Sequence, residues 1–269
     1  MSSRAVVNLA KAFGYILAVA IIGSMITGIL YLVNIFNYED TKIDMTTIYN
    51  GTSKINNLKI KLKTTSLEMV LADEFKVETN NGSIKINQDT DNLEIEEKDI
   101  QTFNKGDLIV KIYVPSDYSF ENVKLEMGAG KSAIEYLKSK DLTIKLGAGK
   151  NYFEKLEVTN AVSIDGGVGL TEIEDGTLNN LNLDAGVGKI AINAEILGTS
   201  KIHCGVGELD LDLKGDANDY QLDIEKGIGS INVDGKSWSN NGLLGNGNNK
   251  IKIAGGIGSI NVKFKNLKN

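Results

Sequence analysis

The sequence contains one cysteine, Cys204, one histidine, His203, and one proline, Pro115. A single cysteine makes an internal disulfide impossible. With one histidine and one cysteine, a zinc site of the usual composition is excluded, because such sites combine several of these side chains. The formal net charge of -6 argues against a nucleic-acid partner, which requires a basic surface. Three function classes are therefore set aside: disulfide-stapled scaffolds, zinc proteins and nucleic-acid-binding proteins.

A long uncharged segment lies near the N-terminus. No charged residue occurs between positions 12 and 38, and a helix of that length spans the hydrocarbon core of a bilayer, about 30 Å thick. Two basic residues precede the segment and two acidic residues follow it: Arg4, Lys11, Glu39 and Asp40. By the positive-inside rule, the sequence predicts a cytoplasmic N-terminus over 1–11, a transmembrane helix over 12–38 and an extracytoplasmic remainder. The alternative is a cleaved signal peptide, but the small-residue site Ala18–Ala20 lies inside the apolar core rather than after it.

A Gly-x-Gly motif with a small or aliphatic middle residue recurs seven times, at intervals of 19, 20, 19, 19, 22 and 29 residues. Its first copy lies in GAGKS, residues 128–132, which looks like the end of a nucleotide-binding P-loop. The earlier glycine of that pattern is replaced by Leu125, so the P-loop interpretation fails. Near-constant spacing instead indicates a repeat architecture. The first glycines of the copies are Gly128, Gly147, Gly167, Gly186, Gly205, Gly227 and Gly256.

Alternating apolar and polar residues flank each motif, which is typical of strands with one buried face. Each repeat reads as strand, glycine corner, strand and polar turn, and we expect the middle residue of the corner to point inward. A repeat of about 19–20 residues is too short to bury its own apolar side, so successive repeats must stack. The prediction is an all-β fold, a parallel β-solenoid. The alternative is an antiparallel β-sandwich, because NNGS at residues 80–83 looks like a hairpin turn.

The repeats also predict how the chain is divided. A short linker covers residues 39–47, and an extracytoplasmic β-solenoid domain covers residues 48–269. Within that domain, residues 48–115 alternate without glycine corners and are expected to form an irregular, capping part. Residues 116–269 carry the Gly-x-Gly repeats.

An apolar N-terminal span, alternating strands, a VPSDY segment at 114–118 and serial GAG or GVG corners resemble a known bacterial family. This is the β-strand-repeat family whose uncharacterised members are labelled "putative adhesins" and which includes LiaG-like cell-envelope proteins of Gram-positive bacteria. The resemblance covers roughly residues 50 to 265. It implies a β-solenoid ectodomain, a surface location and a role in adhesion or envelope-stress signalling, and it supplies no catalytic residue.

Three features of the sequence are candidate chemical sites. His203 and Cys204 are adjacent, but consecutive strand residues face opposite sides of a sheet, so the pair is not expected to bind one ligand. The glycines look like calcium-binding nonapeptides, but Thr171 and Ile260 occupy the aspartate position of that pattern. The third feature is an outward ladder whose members would stack along one sheet face, as a shallow cation site, as paired acids of a polysaccharide-cleaving enzyme or as a solvated surface. Its members are Asp165, Asp184, His203 and Glu225.

The segment before the last corner carries the only tryptophan, Trp238, followed by Leu243 and Leu244. Loops carry function disproportionately, so an exposed Trp-Leu-Leu tip would suit a glycan or protein ligand. The competing interpretation is a small local core that covers the end of the stack.

These observations favour a non-enzymatic, single-pass membrane protein that presents a rigid β-solenoid outside the cell. No cofactor or metal is expected, and the partner would be another envelope protein or a cell-wall polymer. Two alternatives remain open. One is a membrane-tethered carbohydrate-active enzyme, and the other is a scaffold that polymerises by end-to-end stacking.

Overall fold

The computed structural model describes residues 44–51, 54–99, 107–239 and 241–265. The transmembrane helix predicted over 12–38 lies outside these residues, and so does the cytoplasmic segment. No helix among the described residues is long and apolar enough to cross a bilayer.

The described chain is all-β, as predicted, with one short 3-10 helix at Ala217–Asp219. The strands are β1 (Thr46–Asn50), β2 (Asn57–Leu62), β3 (Ser66–Ala72), β4 (Lys76–Thr79), β5 (Ile84–Asp89), β6 (Asn92–Glu97), β7 (Ile109–Pro115), β8 (Phe120–Asp165), β9 (Val168–Asn179), β10 (Leu181–Asp184), β11 (Val187–Leu197), β12 (Thr199–His203), β13 (Val206–Lys214), β14 (Tyr220–Glu225), β15 (Ile228–Val233), β16 (Lys236–Ser237), β17 (Gly242–Leu244), β18 (Asn249–Ala254) and β19 (Ile257–Lys265).

The strands stack as the windings of a solenoid-like fold, with parallel pairing and no shift of register between most neighbours. In one such ladder, Leu183 pairs with Ile164 on one side and with Ile202 on the other. All three side chains are at most 1% exposed. The alternating sequence therefore produces a continuous apolar interior, because every second residue of each strand meets an equivalent residue in the next winding.

Within the part of the chain that the structure describes, nine windings can be numbered by their position in the stack. Winding 1 is β6 and β7, winding 2 is β2 and β3, and windings 3 and 4 lie within β8. The end of β8 and β9 form winding 5, β10 and β11 form winding 6, and β12 and β13 form winding 7. Winding 8 is β18 and β19, and winding 9 is β14 and β15.

The order of windings departs from chain order at the C-terminal end. β18 pairs with β12 on one side and with β14 on the other, and β19 lies in the same way between β13 and β15. The last corner in the sequence, at Gly256, therefore stacks between the corners at Gly205 and Gly227. After winding 7 the chain forms winding 9 first and then returns to form winding 8 between the two. This return accounts for the 29-residue interval between the last two corners.

The N-terminal end shows the same reversal. β6 and β7 pair on the outer side of β2 and β3, although they follow them in the chain. Antiparallel pairs occur here and at the opposite end: β5 pairs with β6, β4 with β7 and β1, β17 with β14, and β16 with β15. The turn at 80–83 joins β4 to β5, which do not pair with each other. The hairpin that NNGS indicated is therefore wrong, because each flanking strand covers a different strand of winding 1.

Candidate partner-docking surface

Backbone packing at the glycine corners leaves no room for side chains. A Cβ added at Gly186 would lie 1.9 Å from the carbonyl oxygen of Gly167, and one at Gly256 would lie 1.9 Å from that of Gly205. The second glycine of several corners also has a positive φ, for example 132° at Gly188, which favours glycine. The glycines are therefore required by close approach of one winding to the next.

The amide of each middle residue ties the corner to the winding beside it. The Val187 amide donates to the Gly167 carbonyl at 2.9 Å, and the Ile257 amide donates to the Gly205 carbonyl at 2.9 Å. Because these bonds repeat from winding to winding, the corners form one straight edge of the stack.

The middle residues of windings 5 to 9 form a continuous aliphatic row on the outside of this edge, which we call the corner strip. Ile228 is 66% exposed and Ile257 is 50% exposed, and the other members are half-buried. The strip consists of Val168, Val187, Val206, Ile257 and Ile228, in the order of the stack.

The prediction that the middle residue points inward is therefore wrong. The space beneath the corner is already filled by the residue before the first glycine and by the second residue after the second glycine. In winding 7 these are Cys204, which packs against the core, and Leu209, which is 2% exposed. Sequence reasoning missed the strip for this reason, although the invariably small or aliphatic middle position was the available signal.

A shallow groove follows the corner strip. Its walls include backbone of the corner glycines together with Leu146, Ala185 and Cys204. Burial raises the pKa of Cys204 to about 11, against a smaller opposing effect of a hydrogen bond with the Gly256 backbone. The thiol is thus neutral near pH 7 and contributes to packing rather than to nucleophilic chemistry.

Three members of the predicted outward ladder come together on the outer face of the strands that precede the corners. Asp184 lies in register with Asp165 on one side and with His203 on the other. His203 Nδ1 lies 2.8 Å from Asp184 Oδ1, and Lys145 Nζ lies 3.9 Å from Asp165 Oδ2. These side chains are exposed and stand side by side on one sheet face, not across a cleft. Among the described residues, no group of three His, Cys, Asp or Glu side chains is arranged to bind a metal ion.

Glu225 does not join this ladder. Ala254 pairs with His203 on one side and with Glu225 on the other, so one winding separates the two predicted neighbours. Glu225 instead forms an ion pair with Lys252, with 2.6 Å between Oε1 and Nζ. The separation follows from the insertion of winding 8.

Trp238, Leu243 and Leu244 do not form one exposed tip. Trp238 packs half-buried against the core and its amide donates to the Ile231 carbonyl at 2.8 Å. Leu244 pairs with Leu222 and also packs on the core, whereas Leu243 is 64% exposed. Two of the three side chains therefore cover the outer side of winding 9.

Comparison with known proteins agrees with the repeat pattern. A family model described as "Toastrack DUF4097" matches residues 31–263. The comparison with curated proteins finds no match.

Solved structures with detectable likeness come from several bacteria. A "putative cell adhesion protein" from Clostridium sporogenes is 17% identical, with a TM-score of 0.35, and the match covers 82% of this chain and 98% of that one. A "putative adhesin" from Bacteroides fragilis is 16% identical, with a TM-score of 0.35 and coverage of 85% and 100%. Another from Parabacteroides distasonis is 14% identical, with a TM-score of 0.30 and coverage of 84% and 98%.

Proposed function

Because the chain belongs to the Toastrack DUF4097 family, we propose that it is a non-enzymatic, membrane-anchored cell-envelope protein that docks a partner along the corner strip. This agrees with the family resemblance expected from the glycine repeats. The parallel β-solenoid would act as a rigid support for adhesion or for an envelope-stress complex, tethered to the membrane by the linker at 39–47.

The observation that carries this proposal is the corner strip itself. Contiguous exposed aliphatic side chains on a soluble surface mark contact sites for other molecules. Here they stand in register on a backbone edge fixed by amide hydrogen bonds, so little conformational entropy is lost when a partner binds. The strip contains no aromatic ring for stacking on a sugar, so an envelope protein suits it better than a wall polysaccharide.

The anchoring part of the proposal rests on the uncharged residues 12–38 and on the basic residues before them. Intact cells of the source bacterium should lose the domain to added protease, while a cytoplasmic marker protein survives. Survival of the domain until the cells are lysed would contradict an extracytoplasmic location.

The docking part can be tested with a photo-crosslinking residue in place of Ile257 in the full-length protein in its native membrane. We expect a discrete crosslinked product that disappears when the strip is made polar by V187T/V206T. The matched control, T143V/N182T, changes two outward positions on the strands that precede the corners and should leave the product intact. The absence of a product, or a product unaffected by the strip variant, would contradict docking at this edge.

A further inference from the structure

A negatively charged surface adjoins the corner strip, on the outer face of the strands that follow the corners. Tyr152 is 39% exposed there, and three glutamates of windings 4 and 5 surround it. Within the described ranges, the carboxylates of these three glutamates form no ion pair and no side-chain hydrogen bond. We call this surface the carboxylate patch; it consists of Tyr152, Glu154, Glu172 and Glu174.

Charges on the same face are paired on both sides of the patch. Toward the N-terminal end, Lys111 Nζ lies 3.4 Å from Glu68 Oε2. Toward the C-terminal end, Lys189 Nζ lies 3.3 Å from Glu208 Oε2 and 2.6 Å from Asp210 Oδ2. The three glutamates of the patch thus lack the lysine partners that these carboxylates on the same face have.

The patch also brings like charges together. Tyr152 pairs with Glu172, and the pairing of Phe153 with Ile173 places Glu154 beside Glu174 in the next winding. Like charges directly opposite each other on neighbouring strands are destabilising. Partial burial, followed by the charges of Glu174, Glu154 and Glu172, raises the pKa of Tyr152. Such a concentration of negative charge is complementary to a positively charged partner.

Patch and strip form one continuous surface. On β9, Val168 belongs to the strip, the half-buried Leu170 follows two residues later, and Glu172 and Glu174 come next on the same outward side. The five strip side chains alone offer much less than the roughly 800 Å² per partner of a stable protein interface, so an occupant needs additional contacts. Two copies of this chain, each with a net charge of -6, would repel one another.

We propose that the segment docked on the corner strip is amphipathic and basic. Its aliphatic side chains lie on the strip, and its lysine or arginine side chains reach the carboxylate patch, where the Tyr152 ring adds a cation–π contact. This inference rests on the proposed function and deepens it, because it names the chemistry of the partner.

The test uses three labelled synthetic peptides titrated onto the full-length protein: alternating leucine and lysine, leucine and glutamate, and serine and lysine. We expect binding of the leucine–lysine peptide only, weakening as salt rises because exposed charges are screened within about 10 Å at 0.1 M. The variant E154Q/E172Q/E174Q should weaken that binding by at least about tenfold. The control E94Q/E96Q/E126Q removes the same number of charges from the strands that precede the corners and should change binding less than about twofold.

Folding and function are separated by two further measurements. E154Q/E172Q/E174Q should raise the unfolding temperature, since it relieves repulsion, so that lost binding cannot be attributed to misfolding. V187T/V206T should weaken the leucine–lysine peptide through loss of apolar contact.

Each remaining outcome rejects a different statement. Equal binding by the serine–lysine peptide, or by a chitosan oligomer in place of any peptide, would overturn the amphipathic protein segment. Equal effects of the two triple variants would overturn the role of the patch, while the strip proposal stands if V187T/V206T still weakens binding. If V187T/V206T binds the leucine–lysine peptide as tightly as the wild type does, docking on the strip is rejected.

Discussion

The corner of winding 2 and the glycine corners that follow it satisfy the same backbone groups by different means. In winding 2 the corner is Lys63–Thr65, with no glycine, and Glu97 Oε2 accepts the amides of Lys63 at 2.6 Å, Thr64 at 2.9 Å and Thr65 at 3.1 Å. In winding 6 the amide of Val187 donates to the carbonyl of Gly167 in the winding before it. At the winding 2 corner the Glu97 carboxylate thus takes the role that a backbone carbonyl of the adjacent winding has at the glycine corners.

This difference shows how a repeat is ended. Inside the stack each corner needs glycine, because a neighbouring backbone lies within contact distance. At the winding 2 corner, which has no glycine, the three amides instead donate to the Glu97 carboxylate at the end of β6, so each of them has an acceptor. Glu97 is 0% exposed, and Thr64 Oγ1 and Asn81 Nδ2 also donate to its Oε1, at 3.0 and 3.3 Å.

The largest effect should come from adding a side chain to a glycine corner. Gly188→Ala would place a Cβ 2.0 Å from the Gly169 carbonyl oxygen at a φ of 132°, so we expect a loss of at least about 3 kcal/mol of unfolding free energy, or failure to fold. Urea unfolding followed by circular dichroism measures it. Gly82→Ala is the control, since its Cβ would meet nothing within 4 Å, and a comparable loss there would refute the explanation.

The carboxylate-capped corner should be broken by removing its charge. Glu97→Gln keeps the shape of the side chain but weakens its hydrogen bonds with three backbone amides. We expect a loss of about 2–3 kcal/mol of unfolding free energy in the same assay. Glu94→Gln, at an exposed ion pair with Lys59, should cost less than about 1 kcal/mol. Equal losses of unfolding free energy in the two variants would contradict the capping role of Glu97.

The two kinds of corner should also differ in their response to pH. Burial of Glu97 opposes its ionisation, but hydrogen bonds from the amides of Thr64, Lys63 and Thr65 outweigh it and lower its pKa. A folded-state pKa below the unfolded value means that the stabilisation is fully present above the unfolded pKa, about 4.3, and is lost as pH falls through the folded pKa. The stability gap between wild type and Glu97→Gln should therefore be constant from pH 5 to 8 and shrink below about 4.3. A gap that closes between pH 7 and 5 would contradict the lowered pKa.

The smallest effect is expected on the corner strip, where side chains face solvent. Ile228→Ala should cost about 1 kcal/mol or less, because that side chain is 66% exposed. Ile224→Ala, four residues earlier in the same winding, should cost about 2–5 kcal/mol because Ile224 is 0% exposed. Similar losses at both positions would restore the inward orientation that the sequence predicted.

Much of the fold could be predicted from local pattern. Alternation around each corner predicted strands with one buried face, and the structure buries Leu183 and Ile202 on such faces. Constant spacing indicated stacked repeats, and the glycines were recognised as structural rather than phosphate-binding. These features depend on residues close together in the chain, where periodicity is informative.

The order of windings could not be read in the same way. An alternating strand is equally suited to either neighbour in a stack, so the pattern around Ile253 does not say whether winding 8 lies inside or at the end. Only the 29-residue interval hinted at a return path. Glu97 was missed because the three amides that donate to it lie over 30 residues away in the chain. The carboxylate patch was missed because a glutamate is identified as unpaired only when its neighbours in space are known.

The measurement that tests the account most directly is disulfide formation between outward residues of windings 7, 8 and 9, after Cys204 is replaced by serine. Lys252 pairs with Lys201 on one side and with Asp223 on the other, and paired residues on adjacent strands are about 4.8 Å apart, within reach of a disulfide. We predict that the pairs K201C/K252C and K252C/D223C form disulfides on oxidation, and that K201C/D223C, two strand spacings apart, does not. Efficient crosslinking of K201C/D223C would contradict the stacking order and, with it, the continuous corner strip on which the proposed function depends.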